Sequence, residues 1–583
     1  MSTFIPNTHL IIKIFNYLVI YNSENYSHII RGVNYKRNCA IINVLLTRVC
    51  KDWVENVFPK VRRFGYTIGG GPIVDYSGLI NQSLVGIKLE LQLTNENYMV
   101  LDESEFQTLF NRVIYSIKYN NKNLLHSIDS KSQRLERLSI VISSEVDRSL
   151  LVLKDRFPLL LYLHVAFEEL VADDSTPFVY PTTNTLKDLI LTSRSTQPRI
   201  QLDHSSMSFI THLELENVKI ISSNLLEYIK NTSAIKRLLL YQNTYCTSDF
   251  NTENPNDQWA EKFVNGIKIY KNIRKDEESL ECPYTGDGLS TTDSLFNVLA
   301  THISIEFLQL KECNIKLKSL IQCLNQNKSL KTIIFSYIKL SEFPITDEIE
   351  NTTLEEFTLY PPFADSIFKR WKSNSGIKLM MYLDSDSLVP CIHGCHSQSL
   401  EKLYLTKSGD IQDLKQIMTM PLPNLKHLIF TNGSPFTEPK ILLSNNTIQS
   451  VNFFIEQKAS VLEELISICH PTLKSITFSL EFKSLKRVED IINALSNNPY
   501  LEYFKICNSY TVPNTDVNSL CKLLNNQNLH NIHFPMKHTQ DFIMGNFSTF
   551  SQVINENLHH LYSLFLSNEF TEIILKGFLI RDI

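Results

Sequence analysis

Apolar and polar residues alternate along this chain in a short pattern that recurs about every 25 residues. Each copy reads Leu-x-x-Leu-x-Leu, with isoleucine or another apolar residue at some of the leucine positions. Read from the first apolar residue, the copies begin at Leu84, Leu135, Leu160, Leu186, Ile210, Ile235, Ile305, Leu330, Leu354, Ile377, Leu400, Leu425, Ile448, Leu473, Leu501, Leu529 and Leu561. Alternation of this kind predicts a short strand with one buried face. A fixed period of this length predicts a repeat architecture.

A helical pattern separates many of these strands. Its apolar residues lie three or four positions apart, which places them on one face of a helix. The pattern occurs in residues 219–235, 317–324, 411–425, 460–473 and 488–495. Asparagine and proline end it, as in Asn497-Asn498-Pro499, because proline cannot continue a helix. A single strand and helix have too little apolar area to fold alone, so each unit is expected to stack on its neighbours.

The pattern resembles the leucine-rich-repeat family, whose consensus adds Asn or Cys and then an apolar residue after the strand. The copy from Ile305 to Ile315 matches in full, with Cys313 at the Asn or Cys position. The resemblance covers roughly residues 80–575. It implies an α/β solenoid shaped as a horseshoe, with parallel strands on the concave face and helices outside. The alternative is a non-solenoid α/β protein with chance spacing.

Two stretches interrupt the period. Ile235 and Ile305 are separated by 70 residues, and the polar excess predicts a surface insertion at about 241–300. In residues 91–134 one copy is lengthened or lost, and Phe106–Tyr119 reads as a helix.

The N-terminal residues follow a different pattern. An apolar stripe along residues 10–18 predicts an amphipathic helix, and residues 45–53 predict a second, shorter one. Together they resemble the F-box, which implies a small all-α module over residues 1–65 that docks on the adaptor subunit of a cullin-RING ubiquitin ligase. The residues matching the family's motif are Pro6, Leu10, Ile14, Phe15, Leu18, Val49, Cys50 and Trp53. The alternative is a helical cap that covers the first exposed apolar face of the array.

Composition narrows the range of partners. The 583 residues carry a formal net charge of −5, which argues against a nucleic-acid partner. The sequence contains no run of about 18 apolar residues, so we predict neither a membrane-spanning helix nor a membrane partner. The 11 cysteines are scattered through apolar segments, which favours reduced thiols in the cytoplasm or nucleus.

The chain offers little catalytic chemistry. We find neither a phosphate-binding loop nor a nucleophile elbow in the sequence, and we expect a non-catalytic protein without a cofactor. Cys391-Ile-His393-Gly-Cys395-His396 is the one cluster of metal-ligand residue types. Its spacing is too tight for one loop to wrap a metal with four ligands, so we interpret it as a loop between two copies and predict no metal site.

The strands also predict a binding surface. Residues between the buried positions of each strand point to the opposite face of the sheet. Aromatic and charged residues occupy many of these positions, which is typical of contacts with a protein partner. The aromatic candidates are Tyr241, Phe307, Tyr360, Tyr404, Phe454 and Tyr503. We therefore expect a substrate-recognition subunit of a Skp/cullin/F-box-type ubiquitin ligase that binds its target protein on the array. The alternative is a leucine-rich-repeat scaffold without a ligase connection.

Overall fold

The computed structural model describes many short segments of the chain, and the fold is given for these alone. They are residues 64–67, 89–93, 114–119, 135–142, 159–167, 185–194, 198–202, 209–246, 288–311, 313–336, 338–341, 347–359, 367–372, 375–382, 392, 396–405, 411–431, 438–480, 485–506, 517–534, 545–557 and 563–565. The protein is an α/β protein with long parallel sheets, and it divides into two compact units, Met1–Lys316 and Leu317–Ile583. The eight F-box-like residues, from Pro6 to Trp53, lie outside the described residues.

Unit 1 contains a long parallel sheet whose strands pair in chain order. The strands of the unit are β1 (Phe64–Thr67), β2 (Leu89–Leu93), β3 (Ile114–Tyr119), β4 (Arg137–Ile142), β5 (Tyr162–Phe167), β6 (Asp188–Ser193), β7 (Arg199–Ile200), β8 (His212–Glu216), β9 (Lys219–Ile221), β10 (Arg237–Tyr241), β11 (Thr244–Cys246), β12 (Phe307–Lys311) and β13 (Asn314–Lys316). The long sheet runs β1-β2-β3-β4-β5-β6-β8-β10-β12. The short strands β7, β9 and β11 form a second parallel sheet.

Two helices of unit 1 lie between its later strands. Helix α1 (Ser222–Asn231) follows β9 directly and buries Leu225, Tyr228 and Ile229. Helix α2 (Gly288–Thr301) precedes β12, and α1 packs against it. Helix α2 falls at the end of the stretch predicted as an insertion, of which residues 247–287 lie outside the described part of the chain.

Unit 2 also has a long parallel sheet with strands in chain order. Its elements are α3 (Leu317–Gln326), β14 (Thr332–Ser336), β15 (Lys339–Ser341), β16 (Glu356–Leu359), β17 (Leu379–Tyr382), β18 (Lys402–Leu405), α4 (Ile411–Thr419), β19 (His427–Phe430), a 3-10 helix (Pro439–Ser444), β20 (Ser450–Gln457), α5 (Ala459–Ser467), β21 (Ser475–Leu480), α6 (Leu485–Asn497), β22 (Tyr503–Ile506), α7 (Val517–Leu524), β23 (Asn531–His533), α8 (Phe547–Asn557) and β24 (Ser563–Phe565). In this sheet β14 pairs with β16, and each strand from β16 to β24 then pairs in parallel with the next one along the chain.

The spacing of apolar residues sets the register of both sheets. From Leu135 onward, each strand begins two residues after the first apolar residue of its predicted copy. Identical positions of neighbouring copies are paired, so Leu213 lies between Leu189 and Leu238. These leucines are fully buried, and burying one such side chain contributes roughly 1.5–3 kcal/mol. The predicted helices are confirmed as α1, α3, α4, α5 and α6.

Two predictions fail near the beginning of the sheet. The copy at Leu84 is wrong in register, because β2 begins at Leu89, five residues later rather than two. The helix expected over Phe106–Tyr119 is also wrong for residues 114–119, which form β3 and pair with β2 and β4. Residues 106–113 lie outside the described residues. The alternating polar residues Ser116 and Lys118 fit a strand better than a helix. Pairing with a neighbouring strand on each side then stabilises the strand conformation.

A row of polar side chains lies just before the strands, three residues ahead of the first apolar position. In unit 2 it includes Asn351, Asn498 and Asn526, all buried. The Oδ1 atom of Asn498 accepts the N–H groups of Tyr500 and Leu501, at 2.9 and 3.0 Å. Its Nδ2 atom donates to the backbone carbonyl of Ile466 in the preceding segment, at 2.7 Å. Each such residue therefore joins two consecutive segments and satisfies backbone groups that helix ends leave open.

Histidine takes this place at two positions. His470 donates through Nε2 to the carbonyls of Leu442 and Asn445, at 3.0 and 2.8 Å, and its Nδ1 accepts the N–H of Thr472. His302 does the same in unit 1, with the carbonyls of Ile229 and Thr232 as acceptors. His470 is buried and His302 is half-buried, and the backbone partners of both rings give these residues a structural role.

Candidate functional site

The candidate site is the less buried face of each long sheet, which we call the open face. In β5, β6 and β8, side chains on this face alternate with fully buried ones. In β10 and β19 one open-face side chain, Leu239 or Ile429, is itself buried. The predicted residues Tyr241, Phe307, Tyr404 and Tyr503 are half-buried on it. Phe454 is 56% exposed, and Tyr360 lies outside the described residues.

In unit 1, one row across the open face is built from alternating charged and aromatic side chains. Register aligns Arg137, Tyr162, Asp188, His212, Arg237 and Phe307. The guanidinium carbon of Arg137 lies 4.2 Å from the centre of the Tyr162 ring. The guanidinium of Arg237 lies at the same distance over the Phe307 ring. A cation held over an aromatic ring is attracted to its face, so both arginines cover rings of the next strand.

His212 lies at the centre of this row. Its Nδ1 atom is 3.9 Å from Asp188 Oδ1, and its Nε2 atom is 3.7 Å from Glu214 Oε2. Burial lowers the pKa of His212, and the Asp188 carboxylate opposes that change. Burial and the neighbouring Glu216 raise the pKa of Glu214. The carboxylates of Asp188 and Glu214 therefore both lie within 4 Å of the His212 ring, on a partly desolvated surface.

A second row of unit 1 contains a hydrogen-bonded histidine. The Nδ1 atom of His164 lies 3.1 Å from Ser139 Oγ, and its Nε2 atom lies 3.1 Å from Thr192 Oγ1. These contacts hold the ring in one orientation across three strands. Tyr241 lies in the third row, where burial and the carboxylates of Glu214 and Glu216 raise its pKa. The Tyr241 hydroxyl is therefore neutral and able to donate a hydrogen bond to a ligand.

In unit 2, two rows cross the open face from β18 to β23. The upper row holds Lys402, His427, Ser450, Ser475, Tyr503 and Asn531. The lower row holds Tyr404, Ile429, Asn452, Thr477, Lys505 and His533. Burial and then Lys402 and Lys426 lower the pKa of His427. Burial and Lys505 lower the pKa of His533 to about 4.

Several residues of this surface do not follow from the sequence reasoning above. Arg137 and Asp188 stand two residues after the first apolar residue of their copies, and His164 stands four residues after it. Counting from that residue in every copy would have found all three. The sequence reasoning also misses Asn243, whose amide donates to Leu215 O and accepts the N–H of Val218. It occupies the consensus Asn position of the copy at Ile235.

The cysteine and histidine cluster before Leu400 is only partly described. His396 is buried, with Nε2 3.1 Å from the Phe368 carbonyl and Nδ1 2.6 Å from Ser375 Oγ. Cys391, His393 and Cys395 lie outside the described residues. Over the segments that the structure describes, no group of three potential metal-ligating side chains occurs, and no helix is long and apolar enough to cross a membrane.

The arrangement offers aromatic rings, charges of both signs and short polar side chains on a hydrogen-bonded sheet. Such a surface suits recognition of another macromolecule. Searches against protein-family models and curated proteins give no match for this chain.

Proposed function

We propose that this protein is a leucine-rich-repeat solenoid that binds a target protein on the open faces of its sheets. Three features support the solenoid. The strands pair in chain order, identical positions of neighbouring copies are aligned, and a row of Asn and His side chains joins consecutive segments. In such an architecture the strands line the concave side of a horseshoe and the helices lie outside.

The observation that carries the binding role is the composition of the open face. Rigid strands present Arg237, Phe307 and Tyr241 in unit 1, and Lys402, Tyr404 and Phe454 in unit 2. Aromatic and arginine side chains supply most of the binding energy in protein interfaces. Because the sheet already orders the backbone, binding on this face involves no further loss of backbone entropy.

We further propose that the protein is the substrate-recognition subunit of a Skp/cullin/F-box-type ubiquitin ligase. The support is the F-box-like sequence of residues 1–65 and its position ahead of the repeats. Ile14, Phe15 and Trp53 would dock on the adaptor, and the repeats would hold the target near the catalytic subunits. This chain would itself be non-catalytic and need no cofactor, and its contribution would be proximity and orientation.

Co-purification with the adaptor tests the ligase role. The full-length chain and an Ile14→Asp/Trp53→Ala variant would be produced together with a Skp-type adaptor. We expect the adaptor to elute with the intact chain and not with the variant, because a charge in the apolar stripe and loss of an aromatic anchor remove the contact.

A matched control keeps the outcome clear. Arg237→Ala/Phe307→Ala changes the open face of unit 1 and should leave adaptor binding intact. If the adaptor fails to elute with the intact chain, the ligase role is wrong. The protein would then be a scaffold whose N-terminal residues cap the repeats.

A further inference from the structure

In the two rows of the open face in unit 2, from β18 to β23, the charged side chains are all positive. Their twelve positions hold two lysines, two histidines and no carboxylate. Nearby carboxylates lie outside these twelve positions. Glu356 is two strands beyond Lys402, on the side away from Lys505, and Glu401 precedes β18. Glu456 stands further along β20, paired with Ser479 of β21. This part of the sheet is therefore a basic surface on an otherwise slightly acidic protein.

The positive charge is concentrated at the two ends of the rows. Lys402 and Tyr404 stand together on β18, and Tyr503 and Lys505 stand together on β22. Each lysine is directly paired with a histidine of the next strand, Lys402 with His427 and Lys505 with His533. In both pairs the lysine disfavours protonation of the histidine, and at His427 the Glu401 carboxylate opposes this effect in part.

Short polar side chains form the floor between these ends. Ser450, Asn452, Ser475 and Thr477 occupy β20 and β21, and their hydroxyl and amide groups can bond to a peptide backbone. Phe454 adds an exposed apolar ring beside this floor. Thr431, the residue after β19, has a buried Oγ1 atom with no hydrogen-bond partner among the described residues.

The open face of unit 1 differs in how its charges are arranged. There Arg137 and Arg237 cover aromatic rings, and His212 lies within 4 Å of the carboxylates of Asp188 and Glu214. Positive and negative groups alternate along that row. Between the two open faces, the one in unit 2 is therefore better suited to a partner that carries negative charge.

We propose that the open face of unit 2 binds an extended acidic segment of the partner protein, with one carboxylate at Lys402 and another at Lys505. This deepens the target-binding role and rests on it. Four strand spacings of about 4.8 Å separate β18 from β22, roughly 19 Å in all. An extended peptide rises about 3.3 Å per residue, so the two acidic residues would stand about six positions apart. An apolar residue between them would contact Phe454.

Selection from a displayed library of random 12-residue peptides on the full-length chain tests this inference. We expect enrichment of Asp or Glu pairs about five to seven positions apart. Individual enriched peptides, labelled with fluorescein, would then be titrated by anisotropy against wild type and Lys402→Glu/Lys505→Glu. Reversal of both charges should weaken binding about tenfold or more. The reversed surface should instead select peptides rich in Lys and Arg.

A control variant places the same charge change elsewhere in unit 2. Lys318 and Lys328 are exposed at α3 and just after it, so Lys318→Glu/Lys328→Glu should bind the selected peptides like wild type. Equal unfolding midpoints for the two double variants would show that both are folded. The inference is overturned if enriched peptides show no acidic excess, or if they bind the Lys402→Glu/Lys505→Glu variant unchanged. It is also overturned if a single-stranded oligonucleotide binds the same lysines more tightly than the peptides do.

The two proposals fail separately. Ile14→Asp/Trp53→Ala leaves the open face unaltered and should select the same acidic peptides. If the intact chain selects acidic peptides but does not bind the adaptor, only the ligase role is contradicted. If the intact chain binds the adaptor but selects no acidic peptides, only the proposal for the open face of unit 2 is contradicted.

Discussion

The side-chain amide of Asn498 donates a 2.7 Å hydrogen bond to the backbone carbonyl of Ile466, across the boundary between two consecutive strand-and-helix segments. The oxygen of the same amide accepts two N–H groups of its own segment. One buried side chain therefore joins the last turn of α5 to the residues that lead into β22 of the next segment. Loss of such a side chain leaves buried backbone groups without partners, and that cost exceeds the value of the bonds themselves.

Asn498→Ala should lower the free energy of unfolding by about 2 to 4 kcal/mol, because the N–H groups of Tyr500 and Leu501 would lose their acceptor. The Ile466 carbonyl would lose one donor and keep the N–H of Cys469. The neighbouring Asn497 is exposed, and its amide donates to the Asn493 carbonyl within its own helix, at 2.8 Å. Asn497→Ala should therefore cost less than about 1 kcal/mol. Urea unfolding followed by circular dichroism compares the two. Equal losses would mean that the bonds across the boundary contribute nothing specific.

Histidine and asparagine should be exchangeable in this row. His470 bonds to two carbonyls of the preceding segment and accepts one N–H of its own, which is the pattern that Asn526 makes with its amide. We expect His470→Asn to retain more than half of the stability that His470→Ala loses. The measurement is the urea midpoint of both variants. An Asn variant as unstable as the Ala variant would show that the ring is held by packing alone.

The sequence predicts the strands well and these stabilising residues poorly, for a physical reason. Strand positions follow from apolar alternation. Sixteen consecutive predicted copies, with strands from Arg137 to Ser563 on the long sheets, therefore have a strand that begins two residues after the predicted apolar start. Among the predicted copies only the one with β2 is displaced. The Asn and His residues before the strands read as helix-stopping residues, since their partners belong to the preceding segment. The open face is predictable at Tyr241 and Phe307, but the stacking of Arg237 over Phe307 depends on side-chain conformation.

Gly376 is a position where any side chain is opposed by backbone. A Cβ atom there would lie 2.4 Å from the Thr352 carbonyl oxygen and 3.0 Å from that of Leu354. Gly376→Ala should therefore destabilise unit 2 by about 1 to 3 kcal/mol, as overpacking does. At Gly545 a Cβ would meet nothing within 4 Å, so Gly545→Ala is the control and should change stability by less than about 1 kcal/mol. If Gly376→Ala leaves stability unchanged, the backbone at Thr352 and Leu354 can move away from residue 376 without cost.

Cys323 should be unreactive in the folded protein. Its side chain is buried in α3, and burial raises the pKa of the thiol to about 12. The thiolate is the reactive form, so iodoacetamide at pH 8 should modify Cys323 only after unfolding. Mass spectrometry of tryptic peptides, with and without urea, measures this. Modification of Cys323 in the native protein as fast as in urea would contradict the packing of α3.

His533 should make the protein less stable in mild acid. Its pKa is lowered to about 4, first by burial and then by Lys505, whereas the unfolded value is near 6.5. Between these two values the unfolded state binds the proton and the folded state does not. The contribution of His533 to the free energy of unfolding is therefore fully present above about pH 6.5. It falls by up to about 3 kcal/mol as the pH decreases toward 4.

Urea midpoints measured at pH 7.5 and 5.0 test this expectation, and they should differ less in His533→Gln than in wild type. Lys505→Gln removes one of the two causes and should give an intermediate difference. Identical pH dependence in all three proteins would show that His533 does not contribute.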